Sequence, residues 1–115
     1  MQYIISGRVI KGDGYGKKLG FPTVNLETEE TKETQKTKIP KAGVYAGDAI
    51  LGGRKYRAGI VIGPGERIEA HLIGYDGDAY GKEVTLEIKK FLREYIKFET
   101  EEELIAQIKK DLSLC

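Results

Sequence analysis

Residues 83–89 read Glu-Val-Thr-Leu-Glu-Ile-Lys, an alternation of polar and apolar side chains. Successive side chains of a β-strand point to opposite faces, so this alternation predicts a strand with one buried and one wetted face. Further runs rich in Val, Ile and Tyr are separated by glycines, as in a small all-β domain. They cover residues 3–10, 43–51, 55–62 and 67–73. Turns are predicted at Gly52-Gly53, between two of these runs, and at 75–78.

One helix is predicted near the C-terminus. Thr100 precedes Glu103 by three residues, the spacing of a capping box, and acidic residues 101–103 suit the positive end of a helix dipole. The helix should therefore begin near Glu101. Its apolar side chains fall on one stripe that we expect to pack on the strands: Leu104, Ile105, Ile108 and Leu112.

Composition limits the class of protein. A chain of 115 residues is the size of one domain, so we expect a single domain over residues 1–115. Its 19 basic and 18 acidic residues give a net charge of +1, which argues against nucleic acid or a membrane surface as partner. We see no leader and no apolar run of about 20 residues, and we expect a cytoplasmic monomer. Residues 27–38 lack apolar side chains and predict a solvated loop.

A glycine- and lysine-rich segment, residues 7–21, leads directly into Pro22-Thr23-Val24-Asn25. Glycine has no Cβ, so backbone N–H groups can approach an anion closely, and lysines add charge. The spacing matches neither a Walker loop nor a dinucleotide-binding fingerprint. The pattern still favours a phosphate site, with these candidate residues: Gly12, Gly14, Gly16, Lys17, Lys18, Gly20, Pro22 and Thr23.

Thr23 and Asn25 are the candidate metal ligands. If the chain after Pro22 is extended, the two side chains share one face with roughly 7 Å between their Cα atoms. A hydroxyl and an amide oxygen are hard ligands that suit Mg²⁺, which is commonly completed by water and substrate phosphates. The sequence therefore places a divalent cation beside the predicted phosphate loop.

The sequence resembles the riboflavin kinase (flavokinase) family, whose signature is a glycine-rich flap followed by Gly-Phe-Pro-Thr-x-Asn. Further ordered matches are Gly43-Val44-Tyr45-Ala46, Glu69-Ala70-His71-Leu72, Asp78-Ala79-Tyr80-Gly81-Lys82, Phe91-Leu92-Arg93 with Lys97-Phe98, and a C-terminal segment at 102–111. The resemblance implies a six-stranded antiparallel Greek-key β-barrel with a C-terminal α-helix. It also implies synthesis of FMN and ADP from riboflavin and ATP, with Mg²⁺ or another divalent cation. The likeness is to the C-terminal kinase module of bacterial bifunctional enzymes, here expected to stand alone.

Several roles are carried over from the family. The resemblance implies that Glu69 is the general base and that Thr23 and Asn25 bind the metal. It places Tyr80 on the nucleotide side, although a tyrosine there could equally be a packing residue. It assigns the flavin side to Leu92, Arg93 and Phe98. For Leu92 and Phe98, packing is an equal alternative.

The chain also departs from the family pattern. The loop at 63–67 is abbreviated, and Val61 stands where the family often has asparagine. A missing polar group can weaken ligand binding, so substrate choice could differ. Two other functions therefore stay open: a catalytically weak barrel that binds flavin or nucleotide as a carrier or regulator, and a small barrel that binds single-stranded nucleic acid.

Overall fold

The computed structural model describes residues 3–10, 23–27, 41–63, 67–75, 79–95 and 100–114. Six antiparallel strands close into a barrel in the spatial order β1-β2-β5-β4-β3-β6. Strands β3, β4 and β5 are consecutive neighbours and β6 returns beside β3, which is a Greek key. The predicted fold is confirmed. The elements are β1 (Tyr3–Ile10), β2 (Val24–Glu27), β3 (Gly43–Leu51), β4 (Arg54–Gly63), β5 (Arg67–Leu72), β6 (Glu83–Arg93) and α1 (Glu101–Ser113).

The alternation in β6 is what fills the barrel. Val84, Leu86 and Ile88 are each at most 1% exposed, whereas the residues between them face outward. The other strands contribute inward side chains in the same way, because paired residues of neighbouring strands share a face. Together they form one core with Ile5, Val9, Leu26, Tyr45, Ala49, Leu51, Ala58, Ile60, Ile62, Ile68, Ala70, Leu72 and Ala79.

Glycine determines the backbone at two kinds of position. Gly52 and Gly53 have φ angles of 60° and 79°, which confirms the predicted two-residue hairpin turn between β3 and β4. Gly47 lies where β6 shifts its register against β3, and a Cβ at Gly47 would overlap the Glu87 carbonyl oxygen. Such irregularities increase strand curvature, which a closed six-stranded barrel requires. Residues 76–78 of the second predicted turn lie outside the described residues.

The helix begins as its capping box predicts and is fastened to the barrel by a buried ion pair. The Thr100 hydroxyl accepts a hydrogen bond from the Glu103 backbone N–H at 3.2 Å. Asp111, only 7% exposed, accepts hydrogen bonds from Nε of Arg93 at 3.0 Å and from Nη2 at 2.8 Å. Gln107 donates a further one at 2.9 Å. The helix contacts β4, and its Asp111 carboxylate is paired with Arg93 of β6. No helix in the described ranges is both long and apolar enough to span a membrane.

Candidate active site

The register between β2 and β5 brings the predicted ligands and the predicted base together. Asn25 is the direct cross-strand partner of Glu69, and the flanking pairs are Val24 with Ala70 and Leu26 with Ile68. These flanking side chains pack in the core, so Asn25 and Glu69 face the outside of the barrel. Thr23 joins them, because its Oγ1 donates a hydrogen bond to Glu69 Oε1 at 3.2 Å. One hydroxyl, one amide and one carboxylate therefore meet on one surface.

The Glu69 carboxylate is held from two sides. Thr23 contacts Oε1, and Nη2 of Arg67 lies 3.5 Å from Oε2. The Glu69 side chain is 29% exposed and is therefore partly open to solvent. An ionised carboxylate has about four lone-pair sites, so two contacts leave acceptor capacity for a substrate hydroxyl.

The donor set could hold a magnesium ion. Thr23 and Asn25 offer neutral hard oxygens, which bind Mg²⁺ weakly by themselves and need phosphate oxygens or water to complete six ligands. In the described part of the chain, no group of three or more His, Cys, Asp or Glu residues is arranged to hold a metal.

The described residues on either side of 11–22 lie at this surface. Ile10, the last residue of β1, is the cross-strand partner of Asn25, and Thr23 contacts Glu69. The turn that carries Tyr80 also docks on the end of β1, since the Gly81 N–H donates to the Val9 carbonyl at 2.9 Å. Tyr80 is exposed there. The predicted phosphate residues at 12, 14, 16–18, 20 and 22 lie outside the described residues.

The flavin-side residues are not brought to the Glu69 cluster by any described contact. Leu92 is partly buried near the end of β6, and Phe98 lies outside the described residues. Arg93 has a structural contact that the sequence reading missed: besides Asp111, its Nη1 donates to the Glu94 carbonyl at 3.1 Å. The role of Leu92 and Arg93 in flavin binding stays a prediction.

Arg67 is a site residue that the sequence analysis does not name: it falls at the end of the abbreviated loop and at the start of a predicted strand, with no role assigned. The signal was present in the spacing. Arg67 and Glu69 are two residues apart on β5, and side chains at that spacing share one face of a strand. The i, i+2 pair predicts a cation beside the proposed base.

Comparisons with known proteins identify the family of the chain. A family model described as riboflavin kinase matches residues 1–115. The bifunctional riboflavin kinase/FMN adenylyltransferase of Escherichia coli K12 is 32% identical over 117 residues, which are 95% of this chain and 36% of that protein. The RNA-binding riboflavin kinase RibR of Bacillus subtilis is 32% identical over 119 residues, covering 96% of this chain and 48% of RibR.

A solved structure supports the fold. The riboflavin kinase from Trypanosoma brucei superposes with a TM-score of 0.73 at 19% identity, and the match covers 98% of this chain and 74% of that one. The barrel order and the family match point to the same conclusion. The chain belongs to the riboflavin kinase family.

Proposed function

We propose that the chain transfers the γ-phosphoryl group of ATP to the 5′-hydroxyl of riboflavin, giving FMN and ADP. The observation that carries this proposal is the contact of Thr23 with Glu69 on the face that Asn25 shares. Family membership supplies the reaction class. The chain spans only 36% of the E. coli relative and 48% of RibR, so the activity of this chain is a proposal.

Glu69 is the general base of the proposed reaction. It accepts the proton of the riboflavin 5′-hydroxyl while that oxygen bonds to the γ-phosphorus and the bond from phosphorus to the ADP oxygen breaks. A positioned carboxylate that takes a proton in this way contributes typically 10²- to 10⁴-fold to a rate. The partial exposure of Glu69 leaves it accessible to a substrate hydroxyl and lets the proton pass to solvent after transfer.

Thr23 and Asn25 would bind Mg²⁺ between the protein and the nucleotide. The cation would supply neutralisation of the phosphate charge and of the charge developing on the ADP leaving group. The Thr23 hydroxyl can offer an oxygen lone pair to the metal while its proton still bonds to Glu69, so the two functions are compatible. A cation held by Thr23 and Asn25 would lie beside the proposed base.

The remaining substrate contacts follow the family resemblance. Gly12, Gly14, Gly16 and Gly20 with Lys17, Lys18 and Pro22 are proposed to cover the nucleotide phosphates, and Tyr80 to line the nucleotide side. The docking of the Tyr80 turn on the end of β1 supports that place, because the proposed phosphate residues follow β1 directly in the sequence. Leu92, Arg93 and Phe98 are proposed for the flavin side. We further propose that residues 1–115 act as one domain.

A direct assay tests the proposal. The purified chain is incubated with riboflavin, ATP and MgCl₂, and the flavins are separated by chromatography. FMN that forms only with all components, and is lost on chelation of the metal, is expected. Riboflavin binding without FMN formation would instead identify a carrier barrel.

The name of the RibR relative raises nucleic-acid binding as the competing outcome. The balanced charge of this chain argues against it, because nucleic-acid affinity depends on Lys and Arg that neutralise phosphates. Fluorescence anisotropy with labelled single-stranded and hairpin RNA checks this. RNA binding by a protein that neither binds riboflavin nor makes FMN would replace the proposed function.

A further inference from the structure

We propose that Arg67 is a positioning residue that orients the Glu69 carboxylate for proton transfer. The proposal rests on the function proposed above, since it assigns a partner to the base of that reaction. It starts from one geometric fact: each oxygen of Glu69 has a different partner, Thr23 on Oε1 and Arg67 on Oε2.

These two contacts fix the orientation of the carboxylate plane. The terminal torsion of a glutamate is broad and has no strong intrinsic preference, so a carboxylate held at one oxygen can still turn. A second contact on the other oxygen removes that freedom. Rotation of Glu69 away from Thr23 would also break the contact with Arg67.

The neighbouring strand explains why Arg67 extends towards Glu69. Its cross-strand partner on β4 is Gly63, which has no side chain. A Cβ placed at Gly63 would lie 3.7 Å from the Arg67 Cβ and 3.9 Å from Cε2 of Tyr95, so the tyrosine ring lies over this glycine. With Tyr95 on that side, the guanidinium extends along the face of its own strand.

The Arg67–Glu69 contact is too weak to matter for stability but can matter for the rate. The Arg67 side chain is 63% exposed and its nitrogen-to-oxygen distance is 3.5 Å, so the pair belongs to the class that contributes little to folding. Orientation of a reacting group affects a rate much more strongly, since a small misplacement can cost up to about a hundredfold. Arg67 should therefore affect turnover without affecting the fold.

Steady-state kinetics of Arg67→Gln and Arg67→Lys test the proposal, with Arg54→Gln as the matched control. Arg54 is an exposed arginine at the opposite end of β4, beside the Gly52-Gly53 turn. Arg67→Gln is expected to lower kcat about tenfold, with the KM values for riboflavin and ATP within about twofold of wild type. The melting temperature should stay within about 2 °C. Arg67→Lys should recover part of kcat because it keeps the charge, and Arg54→Gln should behave as wild type.

A double-mutant cycle shows whether Arg67 acts through Glu69. In the Glu69→Gln background the added Arg67→Gln change should have no further effect on kcat, because the group that it positions is already gone. An equal loss in both backgrounds, a change confined to KM, or an unchanged kcat in Arg67→Gln would overturn the proposal. Wild-type protein that makes no FMN would overturn the proposed function itself, so the two failures are distinguishable.

Discussion

Two outward faces of the same barrel use polar side chains differently. On the face formed by β3, β4, β6 and β1, polar groups of different strands bond one to one. Asp48 bonds to Lys89 at 2.6 Å and Ser6 to Thr85 at 2.8 Å, while Lys55 pairs with Glu87 at 3.3 Å. On the face formed by β2 and β5, by contrast, Glu69 has two partners, at 3.2 and 3.5 Å.

The difference separates stabilisation from chemistry. Both faces follow from the same strand alternation, so each has polar side chains pointing outward. Each one-to-one pair links two strands, whereas the Glu69 surface brings a hydroxyl, an amide and a carboxylate to one place. With two contacts on about four lone-pair sites, the Glu69 carboxylate keeps acceptor capacity for a substrate hydroxyl. The first face should therefore be insensitive in an activity assay, and the second face sensitive.

The largest expected effect is that of Glu69→Gln. Loss of the general base should lower kcat by about 10²- to 10⁴-fold. Glu87→Gln is the matched control, since Glu87 is an outward-facing glutamate with its own lysine partner on the other face. Its kcat should stay within about twofold of wild type, because it touches no substrate. The comparison fails if Glu69→Gln keeps more than about a tenth of the wild-type rate of FMN formation.

The helix attachment should show the next largest effect, on stability. Asp111→Asn leaves the Arg93 guanidinium partly buried without its charge partner, which should cost about 2 kcal/mol in the free energy of unfolding. Glu94→Gln is the control, because the Lys41–Glu94 pair has side chains 65% and 70% exposed and should contribute less than about 1 kcal/mol. Urea unfolding followed by circular dichroism measures both losses. Equal losses would mean that burial of the Arg93–Asp111 pair adds nothing.

The proposed metal site is tested by comparing Thr23 with Thr85, a threonine on the other face. Thr23→Val removes a hydroxyl with little change in shape and should raise the apparent KM for Mg²⁺ about tenfold, as expected for the loss of one polar ligand. Thr85→Val removes the hydroxyl that bonds to Ser6 on the other face and should leave the Mg²⁺ dependence of FMN formation unchanged. Thr23→Ser keeps the ligand and should recover wild-type behaviour. A similar response of both valine variants to Mg²⁺ would remove Thr23 from the metal site.

Local sequence patterns predicted the elements well. Alternation identified β6, the Gly52-Gly53 pair identified the hairpin of β3 and β4, and the Thr100 cap identified the start of the helix. Each of these features depends on neighbours within a few residues, so the sequence contains the whole signal. The resemblance to the family added the closed barrel, which strand patterns by themselves left open.

The arrangement of the site depended on non-local pairing. Thr23 and Glu69 are 46 positions apart, and nothing between them states that β2 pairs with β5. The contact of Arg93 with Asp111 was missed for a related reason, since burial of an aspartate depends on how the helix packs. Spacing named Thr23 and Asn25, and family resemblance named Glu69, but the pairing of β2 with β5 was needed to bring the three together.

The smallest expected effect is a pH dependence of stability, from the Asp48–Lys89 pair on the face formed by β3, β4, β6 and β1. The hydrogen bond and the charge of Asp48 raise the pKa of Lys89 above its ordinary value of 10.5. A raised lysine pKa means that the folded state holds the proton more tightly than the unfolded state, so the pair stabilises the fold below pH 10.5 and loses this effect as the pH rises through the folded-state pKa. Asp48→Asn should therefore melt slightly below wild type at about pH 9, and the gap should close as the pH rises through the folded-state pKa of Lys89. Thermal melts across this range measure the gap, with Lys89→Gln as the matched variant that cannot titrate. Because Lys89 is exposed, the gap should also shrink in 1 M salt, where the screening length falls to about 3 Å. A gap in melting temperature that is constant with pH would mean that Asp48 acts by packing. Charge would then contribute little to the one-to-one pairs of this face.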